Sequence, residues 1–240
     1  LTLRPTVLER LLNTCNYLYV LKVVPTTIRE RGMNERRERI VDAAANLVSK
    51  RDVSALTMRA LSDVAGVSVP TVYNLIGGRD DVLVAIWERA GEAIESELAA
   101  LSGEPIERCF QIADHCIARV TAPTSLIRSI YAEGLGPVLF ASDAGPLRRY
   151  GMATGLAILE ATECGDLEPV TSAQLLVESL MSQLIVRIAQ WVSADPPPDP
   201  AYPRAEAAHA VALTLIAVST EQTRPDLLHR LNTARTTLSH

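Results

Sequence analysis

Aromatic side chains are scarce in this chain of 240 residues: two Phe, two Trp and six Tyr make up 4% of it. Ala, Leu and Val supply much of the 48% hydrophobic share instead, a composition that leans helical. Cysteine is also sparse. Cys15, Cys109, Cys116 and Cys164 match no zinc-ligand spacing, and four thiols are few for a secreted chain of this length. Buried, reduced thiols of a cytoplasmic protein are expected. Cys109 and Cys116 would share a helix face, as two core thiols rather than a redox pair. Long apolar runs are absent too. The most apolar segment, Leu175 to Val192, is interrupted by Glu178, Gln183, Arg187 and Gln190, so no membrane span is expected.

Catalytic signatures are equally missing. The chain has no Gly-x-Ser-x-Gly, no P-loop and no His-Glu-x-x-His. Gly134-Leu135-Gly136 is too short for a nucleotide-binding loop. His115, His209, His229 and His240 are scattered without metal-ligand spacing. Neither an enzyme nor a metal or cofactor site is expected. What remains is 48% apolar and long enough to bury a sizeable core, which excludes a mainly disordered chain.

Positive charge is in short supply overall, with a formal net charge of -5, which argues against a nucleic-acid partner. The distribution answers that objection. Residues 1–80 hold 12 Lys and Arg against 8 Asp and Glu, and residues 81–240 hold 11 against 20. The acidity belongs to the second part. Any affinity for DNA must rest on placed residues and helix N-termini rather than on bulk charge.

The chain begins with Leu, and its first methionine is Met33. Residues 1–33 carry Pro5 and Pro25 and no sustained period. Either Met33 is the native start, the favoured reading, or the extension is genuine and holds an amphipathic helix from Val7 to Val23.

From Glu35 the pattern sharpens. Ile40, Ala43, Ala44, Leu47 and Val48 recur at helical spacing, which predicts an amphipathic helix over Glu35–Lys50. Thr57 stands where an N-cap belongs, ahead of Met58, Leu61 and Val64. Gly66 supplies a turn at positive φ, Val67 plugs it, and Ser68 caps a further helix with Pro70 in its first turn. Val72 and Leu75 face inward there, and Thr71, Tyr73 and Asn74 outward. Two short helices joined by a tight Gly turn make a helix-turn-helix, whose exposed hydroxyls, amide and Tyr suit a major groove.

The runs RIVDAAANLV (residues 39–48) and LTMRALSDVAGVSVPTVYN (residues 56–74) resemble the N-terminal domain of the tetracycline-repressor (TetR) family over roughly 50 residues, from 35 to 88. The resemblance implies a cytoplasmic, homodimeric, ligand-responsive transcriptional regulator, usually a repressor. By the same resemblance, Thr57 would meet phosphate at the start of the second helix. Ser68, Val69, Pro70, Thr71 and Asn74 occupy recognition-helix positions, and Tyr73 matches a phosphate-binding Tyr. Arg79 stands where the family usually has Lys, and Arg59 adds a placed positive charge. Two departures concern the joint after the third helix. Ile76 stands where Phe is usual, and Gly77-Gly78 doubles a single Gly, which implies a smaller plug and a looser connection.

Beyond it, Asp80 and Asp81 open a fourth helix with a stripe of Leu83, Ile86, Trp87, Ala90, Ile94 and Leu98. Helices are expected over 105–121, 124–141, 144–163, 171–192, 203–220 and 225–237, with a stiff Pro-rich connector from Ser193 to Pro203. No strand alternation appears, so the fold is expected to be all-α. Its expected parts are a 1–33 extension, a 34–80 helix-turn-helix head, and an 81–240 ligand-binding and dimerisation body.

Helices 171–192 and 203–220 are apolar almost all round and must bury both faces. A four-helix interface between two copies follows, built on Leu176, Leu180, Leu184, Ile188, Ala208, Ala212 and Leu215. Two heads about 34–36 Å apart would read a palindromic operator in double-stranded DNA. Phe110, Asp114, Tyr131, Tyr150, Met152, Gln183 and Trp191 are candidates for an unidentified small-molecule effector by type and helical position. The alternatives are a DNA-binding activator and an all-α small-molecule binding protein without operator affinity.

Overall fold

The computed structural model describes residues 28–51, 53–122, 145–169, 172–194 and 199–239. The expected helices at Val7–Val23 and 124–141, with Tyr131 in the latter, and residues 195–198 of the Pro-rich connector lie outside these residues.

Nine α-helices account for most of the described chain: α1 (Ile28–Arg51), α2 (Met58–Ala65), α3 (Val69–Leu75), α4 (Arg79–Ala99), α5 (Pro105–Thr121), α6 (Pro146–Cys164), α7 (Ala173–Ser193), α8 (Ala201–Ile216) and α9 (Arg224–Leu238). A single 3₁₀ turn, Val53–Ala55, links α1 to α2. No strand occurs among the described residues, where one isolated antiparallel bridge joins Leu167 to Ser219. The all-α expectation is met.

Two compact units divide the described residues. One holds Ile28–Ile94 with Gly145 and Pro146, and the other holds Glu95–Ala122 and Leu147–Ser239. The boundary falls inside α4, whose first part packs with the head helices.

In the first unit the apolar stripe of α1 closes on the short helices. Ile40, Ala44, Leu56, Leu61 and Val72 are almost wholly removed from solvent, as are Val82 and Leu83 of α4. Each fully buried Leu, Ile or Val contributes about 1.5–3 kcal/mol of transfer free energy. Helix α1 begins at Ile28 rather than Glu35. The added turns read IRERGMN, in which Arg, Glu and Met favour helix and Gly32 is a weak point tolerated within the run.

In the second unit α5, α8 and α9 form the centre. Cys109, Ile112, Cys116, Ile117 and Val120 line one face of α5, and Val211, Ala212 and Leu215 line α8. The Ala-rich surface of α8 lets neighbouring backbones approach closely. Helix α8 stops at Ile216 and not at 220. The chain there turns to pair Ser219 with Leu167, while the Thr220 N–H and hydroxyl donate to the Asp166 carbonyl at 3.3 and 3.2 Å.

Helix α7 is long and apolar enough to cross a bilayer by length and composition alone. It carries Glu178 and Arg187, however, and its Leu180, Leu184, Ile188, Trp191 and Val192 are buried within the chain. Arg187 pairs with Glu206 of α8 at 2.8 Å, and Gln183 donates to Thr214 Oγ1 at 3.3 Å. These contacts hold one face of α7 against α8.

Candidate nucleic-acid interface

The interface is built by caps. Thr57 is extended, at φ -107° and ψ 151°, and its hydroxyl accepts from the Ala60 N–H at 3.1 Å, so α2 starts there. Helix α2 ends at Gly66, which adopts φ 65° and ψ 37°, a left-handed conformation that favours Gly. Ser68 is extended in turn. Its Oγ accepts from the Thr71 N–H at 3.3 Å and lies 2.7 Å from Thr71 Oγ1. Pro70 occupies the first turn of α3, where its missing N–H leaves nothing unsatisfied.

These caps fix which face of α3 is turned outward. Val72 is fully buried and holds the inner side, while Leu75 and Ile76 are half-buried behind it. Tyr73 is 53% exposed, and Ser68, Pro70 and Asn74 are also exposed. Val69 and Thr71 are half-buried, the latter with its hydroxyl turned to Ser68. On α2, Thr57 and Arg59 are exposed. Apart from Arg79, which opens α4, the expected recognition residues thus lie on or cap α2 and α3, with Thr57, Arg59, Ser68, Pro70, Tyr73 and Asn74 exposed. Such a surface offers hydroxyl, amide and phenol groups to base edges and phosphates.

Arg79 does more than its charge suggested. Its Nε donates to the Leu56 carbonyl and its Nη2 to the Val53 carbonyl, each at 3.0 Å. It therefore ties the start of α4 to the turn that precedes α2. The joint at Gly77-Gly78 is not loose. Gly77 lies at φ 123°, and a β-carbon there would collide with the Asp81 carboxylate. That carboxylate accepts from the Gly78 N–H at 2.7 Å and closes the turn. A second arginine clamps the other end of the unit. Arg89 of α4 reaches Glu38 at 2.7 Å and Asp42 at 2.8 Å on α1, and Glu92 at 3.4 Å. The bond to Asp42 is the main reason its guanidinium is held above its ordinary pKa.

The body candidates are engaged by protein partners. Arg230 lies over the Phe110 ring at 4.6 Å, Asp114 pairs with Arg204 at 3.4 Å, and Gln183 meets Thr214. Trp191 is buried and Met152 half-buried. Tyr150 is 3% exposed, and its hydroxyl lies 2.9 Å from His115 Nδ1. His115 Nε2 lies 2.9 Å from Glu97, which also accepts from Arg119 at 2.9 Å. Burial above all pushes the Tyr150 phenol far above its ordinary range, so it stays neutral. Sequence periodicity had no means of finding this network, because its members are 18 to 35 residues apart.

Of the residues expected at an interface between copies, Leu180, Leu184, Ile188, Ala212 and Leu215 are buried within the single chain, and Leu176 and Ala208 are half-buried. The large apolar side chains left exposed on α7 and α8 are Leu175, Val186, Tyr202 and Leu213.

A capped helix-turn-helix packed on a preceding helix and tied to a following one is the architecture of a DNA-reading head. Residues 40–86 match the family model of bacterial regulatory proteins of the tetR family. The chain is 35% identical over 82 residues to the HTH-type transcriptional repressor KstR of Rhodococcus jostii (strain RHA1), covering 34% of this chain and 39% of that protein. Over 74 residues it is 38% identical to KstR of Mycolicibacterium smegmatis, covering 30% and 36%. The chain thus matches well under half the length of these relatives. Among solved structures, RolR in complex with resorcinol superposes with a TM-score of 0.62 at 19% identity, over 88% of this chain and 96% of that one. FadR of Bacillus subtilis in complex with stearoyl-CoA superposes with a TM-score of 0.54 at 14% identity, over 74% and 97%. These likenesses extend the shared all-helical fold through the body.

Proposed function

We propose that this protein is a homodimeric, sequence-specific DNA-binding repressor whose hold on a palindromic operator is relieved by a small-molecule effector. The observation that carries this reading is the outward face of α3. Ser68, Tyr73 and Asn74 are exposed on a helix whose cap and buried Val72 leave it one orientation. The rest of the unit has no other evident use for Tyr73, a large apolar ring held 53% in water.

Pairing of two copies is supported by α7 and α8. Leu175 and Val186 lie on one face of α7, and Tyr202 and Leu213 on one face of α8, each pair three turns apart. The opposite faces are buried in the chain. A second copy laid against this surface would cover these side chains and present two heads to one duplex. An effector is supported by the solved likenesses with resorcinol and stearoyl-CoA, two unlike molecules held by similar folds.

Gel shift with the DNA upstream of the protein's own gene tests the reading. Retarded DNA that competes with itself but not with unrelated duplex is expected. A chain that binds small molecules in thermal-shift screens but never retards that DNA would instead support a helical carrier protein.

A further inference from the structure

Helix α3 reads VPTVYNL, so Val69–Leu75 carries neither Arg nor Lys. Those are the side chains that pair with O6 and N7 of guanine in a major groove. The phase of the helix fixes what it offers instead. Val72 is wholly buried. An α-helix turns about 100° per residue, so the positions two before and two after it stand about 160° away. These are Pro70 and Asn74, and both are exposed. They share one line down the middle of the outward face, with Thr71 and Tyr73 on its flanks.

Hydrogen-bonding groups along that line are few. The Thr71 hydroxyl lies 2.7 Å from Ser68 Oγ, which also accepts from the Thr71 N–H at 3.3 Å, so it is engaged within the cap. Pro70 has no N–H, and its ring offers only carbon-bound hydrogen. The Asn74 amide is therefore what the line offers to a polar base edge. Its oxygen accepts and its NH₂ donates side by side, the complement of the N6 donor and N7 acceptor of adenine. Guanine presents two acceptors there and would leave the amide oxygen facing one of them. The Pro70 ring, one turn earlier, complements the C5-methyl of thymine. Cytosine would set an N4 donor against a ring that cannot accept. Four residues rise about 6 Å, less than two base-pair steps of about 3.4 Å, so the two contacts fall on neighbouring pairs.

We propose that α3 reads a short A·T run: Asn74 pairs with an adenine, and Pro70 packs on the methyl of a thymine within about two base pairs of it. The inference rests on the operator-binding reading above and names bases which that reading leaves open. Specificity at these positions then hangs on two groups of the DNA, N7 of adenine and the methyl of thymine.

The test uses the full chain and the stretch upstream of its own gene that it protects from hydroxyl radicals, made as synthetic duplexes and titrated by fluorescence anisotropy. Uracil in place of thymine through the protected half-sites removes the methyl groups alone. 7-Deazaadenine in place of adenine removes the N7 acceptor. Each replacement is expected to weaken wild-type binding about tenfold or more. Asn74→Ala should lose less than threefold on 7-deazaadenine while keeping the full uracil penalty. Pro70→Ala should show the converse. Such a crossed pattern assigns each group of the DNA to its side chain. Wild-type affinity that either replacement leaves unchanged overturns the proposal, as does Asn74→Ala paying the same 7-deazaadenine penalty as the wild type. The wild-type titrations need no substitution in the chain, so they decide if a variant does not fold. A wild-type chain that protects none of this DNA overturns the operator-binding reading, and the base assignment with it. Protected DNA that is bound equally well in all three forms overturns the base assignment alone.

Discussion

Arg79 donates its Nε hydrogen to the carbonyl of Leu56 at 3.0 Å, across 23 residues of chain. With the parallel bond to Val53, one side chain closes the 3₁₀ turn, the start of α2 and the start of α4 into a single joint. Both acceptors are backbone carbonyls, so the planar guanidinium fork matters here as well as the charge. Arg79→Ala is expected to lower head stability by about 1–2 kcal/mol, the lower part of the range for charged hydrogen bonds because the side chain is only half-buried. Arg79→Lys should recover little of that, since one ammonium cannot reproduce the fork. Urea unfolding of the two variants beside the wild type checks both.

Tyr73 separates stability from binding. It is 53% exposed and makes no core contact comparable to that of Val72. Tyr73→Ala is expected to leave the unfolding free energy within about 0.5 kcal/mol while weakening operator binding roughly tenfold or more. Tyr73→Phe, which removes only the hydroxyl, should account for part of the loss. Anisotropy titrations beside chemical unfolding give both quantities. Equal losses in stability and binding would mean that Tyr73 supports the fold instead.

Ser68 offers the sharper separation. Its hydroxyl caps α3, and removing such a cap costs about 1 kcal/mol. Ser68→Ala should show that loss. Ser68→Asp should regain it, because Asp is an equally good cap and favours the helix N-terminus. The same carboxylate would face phosphate. Operator binding is expected to fall further in Ser68→Asp than in Ser68→Ala, although the Asp chain is the more stable.

What was legible in the sequence divides by range. Thr57, Gly66, Ser68 and Pro70 act on residues one turn away, so spacing alone fixes their roles, and the structure places each as a cap, turn or first-turn residue. The clamp between Arg89 and Asp42 spans 47 residues, and the bond between His115 and Tyr150 spans 35. Periodicity shows which face of a helix is buried and is silent on which distant side chain meets it. The same gap explains α7 and α8. An apolar surface all round shows that both faces seek cover, yet not which face the chain covers itself. Leu180, Leu184, Ile188, Ala212 and Leu215 turn inward, and Leu175, Val186 and Leu213 are left outside.

Burial pushes the thiols of Cys109 and Cys116 up to about 12, because the thiolate loses its hydration. Both should resist thiol reagents at pH 8 in the folded chain, whereas Cys164, which is exposed, should react quickly. In a Cys15→Ser background, one fast thiol in the native state and three after denaturation are expected. The raised folded pKa also makes stability depend on pH. Its contribution is complete below the unfolded value near 9 and declines as pH rises towards 12, where the unfolded chain has already released its protons. Unfolding free energies measured at pH 8, 9.5 and 10.5 should therefore fall in that order, and less steeply in Cys109→Ala/Cys116→Ala.

Val186 and Leu213 decide whether the exposed stripe of α7 and α8 is where two copies meet. Their side chains are 54% and 49% exposed in the single chain, so a charge at either site costs the monomer little. Val186→Asp and Leu213→Glu together should leave helicity and the unfolding midpoint of the isolated chain near the wild type. Across a two-fold interface each new carboxylate would meet its own copy in an apolar setting, where burying an unpaired charge is costly. Sedimentation at micromolar concentration is expected to show a dimer for the wild type and a monomer for the variant. Operator affinity should fall with dimerisation, because a single head retains only its own half-site contacts. Leu180→Ala provides the contrast. It empties a site that is 1% exposed inside the chain, and should cost about 2–5 kcal/mol of stability before it affects assembly. A variant pair that stays dimeric would place the interface on another surface of the body.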